Sequence, residues 1–367
     1  MALSARAHQV TLIASAPNRR LTWHEEIDQT GLSLLAPPDI FPFRLRQAGL
    51  SPMDMVGRNG YLMRRRFDVV HLFGHRPAAF VPGRRLSRTS GARLVADWSD
   101  RWGYGGLADR RSWWGRRTLG ALDDRWERAS RLEADGVTVV SQNLASRASA
   151  LGIPADRILH LGLGSNTEQI RPGDRLEARS RAGLPVDISL VLYSGQSQFD
   201  WPLAREVLLD LMRRHAQAGV VLVGRQAQAM RQSLGLPWRG RTFAFGYVSQ
   251  AQLGELLACA DVVLLPFPDE PSNQARLPNR LGDSMAAGRP VVSNDVGEVG
   301  EIIHREGIGL AVGEAPEEMA DALVKLLMEK DYARTMGQRG REAAKARYAW
   351  SSLAENVFDF YLRLAST

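Results

Sequence analysis

Short apolar runs alternate with helix-compatible stretches along most of this chain, and that alternation limits its possible folds more than any other feature. Strand-like runs fall at residues 10–14, 69–73, 94–96, 136–141, 190–193, 220–223, 242–245, 262–265 and 290–293. They are rich in Val, Leu and Ile and apolar without alternation, as strands buried on both faces of a parallel sheet are. Between them, residues 205–217, 250–258, 280–287 and 317–329 suit helices. Such a sequence predicts an α/β, doubly wound architecture. Near residues 170–185 a polar stretch with Pro172, Gly173, Gly183 and Pro185 interrupts the pattern, which restarts at VLYSGQSQFDW. The 367 residues, at about 100–200 per domain, then divide into two Rossmann-like domains joined by a solvated linker.

Composition excludes several classes. A single cysteine, Cys259, rules out an internal disulfide or a cysteine-based zinc cluster. No run of about 18 apolar residues predicts a transmembrane helix, and MALSARAHQVTLIASAP lacks the layout of a signal peptide. The expected location is cytoplasmic. Charge is uneven: residues 1–150 hold 23 Arg and no Lys against 14 acids, and the remainder holds 24 basic residues against 26 acids. A basic first half suggests an anionic partner such as a phospholipid surface or a phosphorylated substrate. A GC-rich genome also explains 44 Arg against 3 Lys, though not their placement. Nucleic acid is not expected, because the Arg residues are scattered over several elements without a recognition motif.

Four segments of the second half carry chemistry. In Tyr193-Ser194-Gly195-Gln196 a strand runs into a glycine turn that either lets backbone N–H groups approach a phosphate or is only a turn. In Leu222-Val223-Gly224-Arg225 a strand ends where ligands of open parallel sheets sit; Arg225 either meets a phosphate or is solvated. In Phe245-Gly246-Tyr247-Val248-Ser249, Ser249 is placed as a helix N-cap, and Tyr247 and Val248 can present backbone groups to a nucleobase. The fourth is EPSNQARLPNRLGDSMAAGRPVVSNDVGE, beginning at Glu270. Pro278 and Asn279 open a helix whose N-terminus suits a diphosphate. Arg276 and Arg280 flank it, and Asp283, about one turn on, is placed for ribose hydroxyls.

The stretch DSMAAGRPVVSNDVGEVGEII resembles the donor-site signature of glycosyltransferase family 4, the retaining GT-B enzymes. SQAQLGELLACADVVLLPF is similar to the elements that precede that signature, and ADGVTVVSQNLASRASALGIPADRILHLGLGSNTEQIRP to the family's inter-domain stretch. RAHQVTLIAS and FDVVHLFG match strand regions of its N-terminal domain, and YAWSSLAENVFDFYLRL its closing helices. The resemblance covers nearly the whole chain. It implies a GT-B fold: an acceptor domain over residues 1–170, a nucleotide-sugar domain over 186–348, and a closing helix over 349–367 that returns to the first domain. The implied activity is metal-independent hexosyl transfer, with retention, from a nucleotide diphosphate sugar bound in the interdomain cleft. The implied acceptor is a glycan or lipid-linked precursor at the inner membrane face, where the basic, Trp-rich first half suits peripheral attachment to anionic lipid.

The chain also departs from the family pattern. Of the two donor-loop acids, the second falls at Asp283, while Ala275 stands at the first. Gln196 replaces a phosphate-binding Arg, and the Lys that usually follows has no counterpart in SQFDWP. The first strand and Gly-rich loop have no counterpart ahead of His8-Gln9-Val10, which predicts open apolar sheet edges. In the first domain the resemblance directs attention to Asp97, Asp100 and His75 as catalytic or sugar-contacting groups, with Trp98 or Trp102 stacking on a sugar ring. The alternative there is an acid cluster packed with Trp beside a helix, and a structural His75. For the whole chain, the alternative is a non-catalytic GT-B homologue acting as a binding or scaffold partner.

Overall fold

The apolar runs pair as parallel strands. The structure, a computed structural model, describes residues 8–28, 31–195 and 200–366. Its contacts divide the chain into one unit of residues 1–162 with 353–367 and a second of residues 163–352.

The second unit holds six parallel strands: β8 (Ser189–Ser194), β9 (Ala218–Val223), β10 (Thr242–Phe245), β11 (Val262–Leu265), β12 (Val291–Asn294) and β13 (Gly309–Val312). Their order is β10-β9-β8-β11-β12-β13. Alternate residues of each strand enter opposite cores. Leu190, Leu192, Val221 and Val263 face one cluster, and Val191, Tyr193, Val220 and Val262 face the other. Helices Gln250–Cys259 and Asn279–Ala286 cover the first face, and helices Trp201–Arg214 and Pro316–Met328 the second. Burial on both sides explains why these strands read as unbroken apolar runs.

The first unit has two sheets. β4 (Val69–Leu72), β5 (Arg93–Trp98), β6 (Gly136–Val139) and β7 (Ile158–His160) form a parallel sheet in that order. β1 (Thr11–Ile13), β2 (His24–Ile27) and β3 (Ser33–Ala36) form a smaller one in the order β1-β3-β2, with β2 antiparallel. Among the described strands, β1 pairs only with β3 and β4 only with β5, so each keeps one open edge. At that of β1, Arg58 Nη1 donates to the Ile13 carbonyl at 3.1 Å. The C-terminal helix Trp350–Ser366 packs onto β6 of this unit. A Cβ on Gly136 would lie 2.6 Å from Phe360 Cζ, so the helix sits where only glycine lets it.

Some sequence expectations are corrected. β2, β3, β7 and β13 were not expected from the apolar runs: β2 is exposed throughout, and β7 and β13 are only partly buried. The polar stretch expected as a solvated linker contains helix Arg175–Ala182, capped by Asp174 and ended by Gly183 at φ +66°. Its Arg179 is 2% exposed. That guanidinium donates to Cys259 O (2.9 Å), Ile188 O (2.7 Å) and Asp261 Oδ2 (2.7 Å), which docks the helix on the second unit. The expected helix at 205–217 starts earlier, at Trp201, because Pro202 fits the first turn.

Arg179→Ala removes all three bonds and leaves a cavity beside Asp261. It is expected to lower the unfolding free energy by about 3 kcal/mol in urea denaturation; a loss below about 1 kcal/mol, the worth of one ordinary hydrogen bond, would contradict this docking.

Candidate active site

In the second unit, strand order reverses between β8 and β11. Open α/β sheets bind ligands at the carboxyl ends of the strands beside such a reversal. β8 ends there at Ser194, followed by Gly195, and helix Asn279–Ala286 brings its first turn to the same place. Arg280 makes the join: Nη1 donates to Ser194 O at 2.8 Å and Nη2 to Asp200 Oδ2 at 2.7 Å. Asp200 is buried, and the Tyr193 ring lies beside the same guanidinium. A Cβ on Gly195 would come within 3.0 Å of both Arg280 Nη1 and Tyr193 Oη. Gln196 lies outside the described residues.

The first turn of helix Asn279–Ala286 has no side-chain cap: its N-cap is Pro278, so no side chain covers the first-turn N–H groups from the capping position. Asn279 at the first position is exposed. One turn on, Asp283 is mostly buried with no hydrogen bond to its carboxylate among the described residues, and burial pushes its pKa up to about 7. Arg276 lies over the Phe267 ring, 5.3 Å from its centroid.

The neighbouring strands add a second group at the same sheet edge. Gly224 after β9 donates its N–H to Phe245 O at 3.1 Å and Gly246 O at 3.2 Å after β10. The two loops are thereby tied, and Arg225 stacks on Tyr247 at 5.2 Å. Tyr247 is 73% exposed, and Val248 follows it. Ser249 caps the next helix in a reciprocal capping box with Gln252.

In the first unit a polar cluster joins residues that follow β4 and β5 to helix Ala121–Leu132. Asp123, fully buried, receives Arg76 Nε (2.7 Å) and Nη2 (2.8 Å) and Arg111 Nη2 (2.5 Å). His75 Nε2 stands 3.4 Å from the same carboxylate. Burial opposes ionisation of Asp123, but these bonds outweigh it and hold the carboxyl below its usual range. Burial lowers the His75 pKa, offset in part by the bond to Asp123. Glu127 fixes the loop after β5 by accepting from Trp98 Nε1 (2.9 Å), Trp102 N (2.8 Å) and Gly103 N (2.9 Å).

Asp97 and Trp98 do not present themselves as expected for a sugar. Trp98 is fully buried. Asp97 pairs across the sheet with Thr138, whose hydroxyl donates to it at 2.8 Å. His71 Nε2 lies 3.2 Å from that hydroxyl and Nδ1 2.6 Å from Tyr361 Oη on the C-terminal helix. Burial keeps His71 neutral, with its pKa lowered to about 3, so one tautomer satisfies the whole row. Burial also raises the Asp97 pKa, against the bond from Thr138. Asp97 thus serves the seating of the C-terminal helix. Asp100, in the loop after β5, is partly buried. Trp102 lies between His75, at 5.5 Å, and Arg76, at 5.2 Å.

Sequence reasoning missed Asp200, which holds Arg280, and Asp123, which holds the first-unit cluster; Tyr193, named there only as a strand end, lies beside the Arg280 guanidinium. Asp200 had a local signal, an acid just ahead of Trp-Pro at a helix start; Asp123 had none.

Comparison with known proteins gives these sites a family. Residues 191–329 match the sequence profile of glycosyl transferases group 1, and residues 1–164 that of a glycosyl transferase 4-like domain. The chain belongs to this glycosyltransferase family. It is 31% identical over 245 residues to a GDP-mannose-dependent alpha-(1-6)-phosphatidylinositol monomannoside mannosyltransferase of Mycobacterium tuberculosis, covering 62% of this chain and 61% of that protein. It is 29% identical over 226 residues to a D-inositol 3-phosphate glycosyltransferase of Nocardia farcinica, covering 57% of this chain and 48% of that one. The glycosyltransferase chain thus spans from about half to three-fifths of the length of these relatives. Among solved structures, sucrose-phosphate synthase from Thermosynechococcus elongatus superposes with a TM-score of 0.80 at 21% identity, over 100% of this chain and 91% of that one. WaaG, a glycosyltransferase involved in lipopolysaccharide biosynthesis, superposes at 0.72 and 18% identity, over 98% and 92%. These neighbours show the fold, two-domain α/β GT-B.

The raised Asp283 pKa has a stability consequence with a definite sign. Its carboxyl titrates near 4 when unfolded and about 7 when folded, so folding favours the protonated form. The penalty is absent below pH 4, grows as pH rises to 7 and is constant above. Asp283→Asn is therefore expected to match the parent chain at pH 4 and to exceed it by about 1–4 kcal/mol at pH 8, read by denaturant melts across that range. A parent curve with the same pH dependence as the variant would contradict the burial.

Proposed function

We propose that this glycosyltransferase moves a sugar from a nucleotide diphosphate sugar to a glycan or lipid-linked acceptor, with retention at the anomeric carbon. One observation carries the reading. The uncapped first turn of helix Asn279–Ala286 meets the glycine turn after β8 at the strand-order reversal, with Asp283 one turn behind it. In this reading the first-turn N–H groups take the diphosphate, and Asp283, once ionised, accepts from the ribose hydroxyls. Gly195 admits the phosphate close to the backbone, and Tyr247 and Val248 frame the base. Arg225 and Arg276 add positive charge. Arg280 positions the helix, since Asp200 balances its charge. The fixed dipole and cations stabilise the charge that grows on the leaving phosphate as the glycosidic bond breaks. No metal enters this scheme.

Several comparisons support the parts. Crystal structures of Anabaena HepE, which share the fold at 16–17% identity, were solved with UDP, with UDP and glucose, and with UDP-glucose. The mycobacterial relative is named for GDP-mannose and a phosphatidylinositol mannoside. The two point to different bases, so the base is left to measurement. A lipid-linked acceptor and the basic first half of the chain support work at an anionic membrane surface on the cytoplasmic side. Among the described residues no helix is long and apolar enough to cross a membrane, so the proposed attachment is peripheral.

Calorimetric titration with UDP, GDP and ADP in the presence of EDTA tests the donor site. One nucleotide is expected to bind, about tenfold (~1.4 kcal/mol) more weakly in Asp283→Ala and in Arg225→Ala. Because the ionised carboxylate is the acceptor, affinity is expected to rise more steeply from pH 6 to 8 in the parent chain than in Asp283→Asn, where only the ligand's terminal phosphate titrates, at about pH 6. A folded protein that binds none of the three nucleotides would refute the reading.

A further inference from the structure

We propose that residues 110–117, with the helix that follows, form an interfacial anchor for an anionic phospholipid surface. The sequence there is Arg-Arg-Ser-Trp-Trp-Gly-Arg-Arg; Arg111 pairs with Asp123 and Arg116 with Asp109 at 2.8 Å, so the positive charge beside the two Trp comes from Arg117 and from the helix that follows. Both Trp are exposed, Trp113 at 57% and Trp114 at 72%. They stack edge to face at 4.4 Å, and Arg117 lies over the Trp113 ring at 4.8 Å. Exposed indole rings on a folded surface are costly in water, whereas at a bilayer boundary the ring enters the headgroup region and its N–H stays solvated.

Hydrogen bonds fix the turn beneath the pair. Arg111 is turned inward onto the buried Asp123, and the Ser112 side chain caps the first turn. The chain therefore leaves the interior at residue 111 and presents the next two aromatic side chains outward. Helix Ala121–Leu132 continues the pattern: Leu122 and Leu132 are exposed, and so are Arg125 and Arg128. Apolar groups mixed with arginines along one exposed helix suit a helix lying in a membrane interface, and the excess of arginine selects acidic headgroups. A soluble polyanion would satisfy the arginines but give the indole rings nothing to enter.

This inference deepens the reading of a membrane-presented acceptor, yet its test uses neither donor nor acceptor, so its failure leaves the nucleotide result standing. The full chain is sedimented with phosphatidylcholine vesicles with and without phosphatidylglycerol. Binding is expected only with phosphatidylglycerol and is expected to fall at least about tenfold in the double variant W113A/W114A. Because both rings are exposed, that variant should melt with the parent chain. A second readout needs no variant: acyl chains brominated near the headgroup should quench part of the parent chain's Trp fluorescence. Absence of binding to phosphatidylglycerol vesicles overturns the proposal, as does undiminished binding by a folded W113A/W114A. Binding to heparin without any quenching by brominated vesicles would assign the surface to a soluble polyanion and overturn it equally.

Discussion

The guanidinium of Arg280 is the contact on which the second-unit site depends. It rises from the first turn of helix Asn279–Ala286 and reaches the last carbonyl of β8 and the buried carboxylate of Asp200. Among the described residues it makes the hydrogen bond that ties that helix to the end of the strand beside the order reversal. The bonds also bear on where positive potential comes from. Arg280 and Asp200 pair with each other, so in the proposed reading the terminal N–H groups of the helix, with Arg225 and Arg276, would attract an anion. Gly195 fits the arrangement, because a Cβ there would crowd both Arg280 and Tyr193 at 3.0 Å.

The first unit solves a similar problem with acids in place of a cation. Asp123 gathers Arg76, Arg111 and His75, and Glu127 pins three donors of the segment after β5. Each buried carboxylate is supplied with enough donors to offset its desolvation. These loops are therefore fixed by charge-assisted bonds that leave from one helix, residues 121–132. The same helix carries the exposed Leu and Arg residues that follow the Trp pair, so one element both organises the interior and shapes a surface.

Much of the fold was legible along the chain, and the reason is burial. β9 and β11 are buried at every position, and a strand covered on both faces must be apolar throughout. The exposed β2, with His24, Glu25 and Glu26, carries no such demand and left no pattern. The segment with helix Arg175–Ala182 misled for the opposite reason. Its arginines look solvated in sequence, yet Arg179 is buried because Asp261 and the Cys259 carbonyl, distant in the chain, and the nearer Ile188 carbonyl satisfy it. Ser249 and its helix were readable because a cap is a local interaction.

Sequence by itself determined the alternation of strand and helix, the family resemblance, the glycine turns at strand ends, and the placement of Asp283 one turn into a helix. Those depend on neighbours within a few residues, where periodicity and capping act. Only the tertiary structure decided what the charged side chains do. It paired Arg280 with Asp200 and the Ser194 carbonyl, placed Asp97 in a hydrogen-bonded row that reaches Tyr361, and left Trp113 and Trp114 outside while burying Trp98. The worth of a charge or an aromatic ring is set by its desolvation and its partners. For Arg280 and the Asp97 row those partners lie from 41 to 290 positions away, beyond anything that local pattern records.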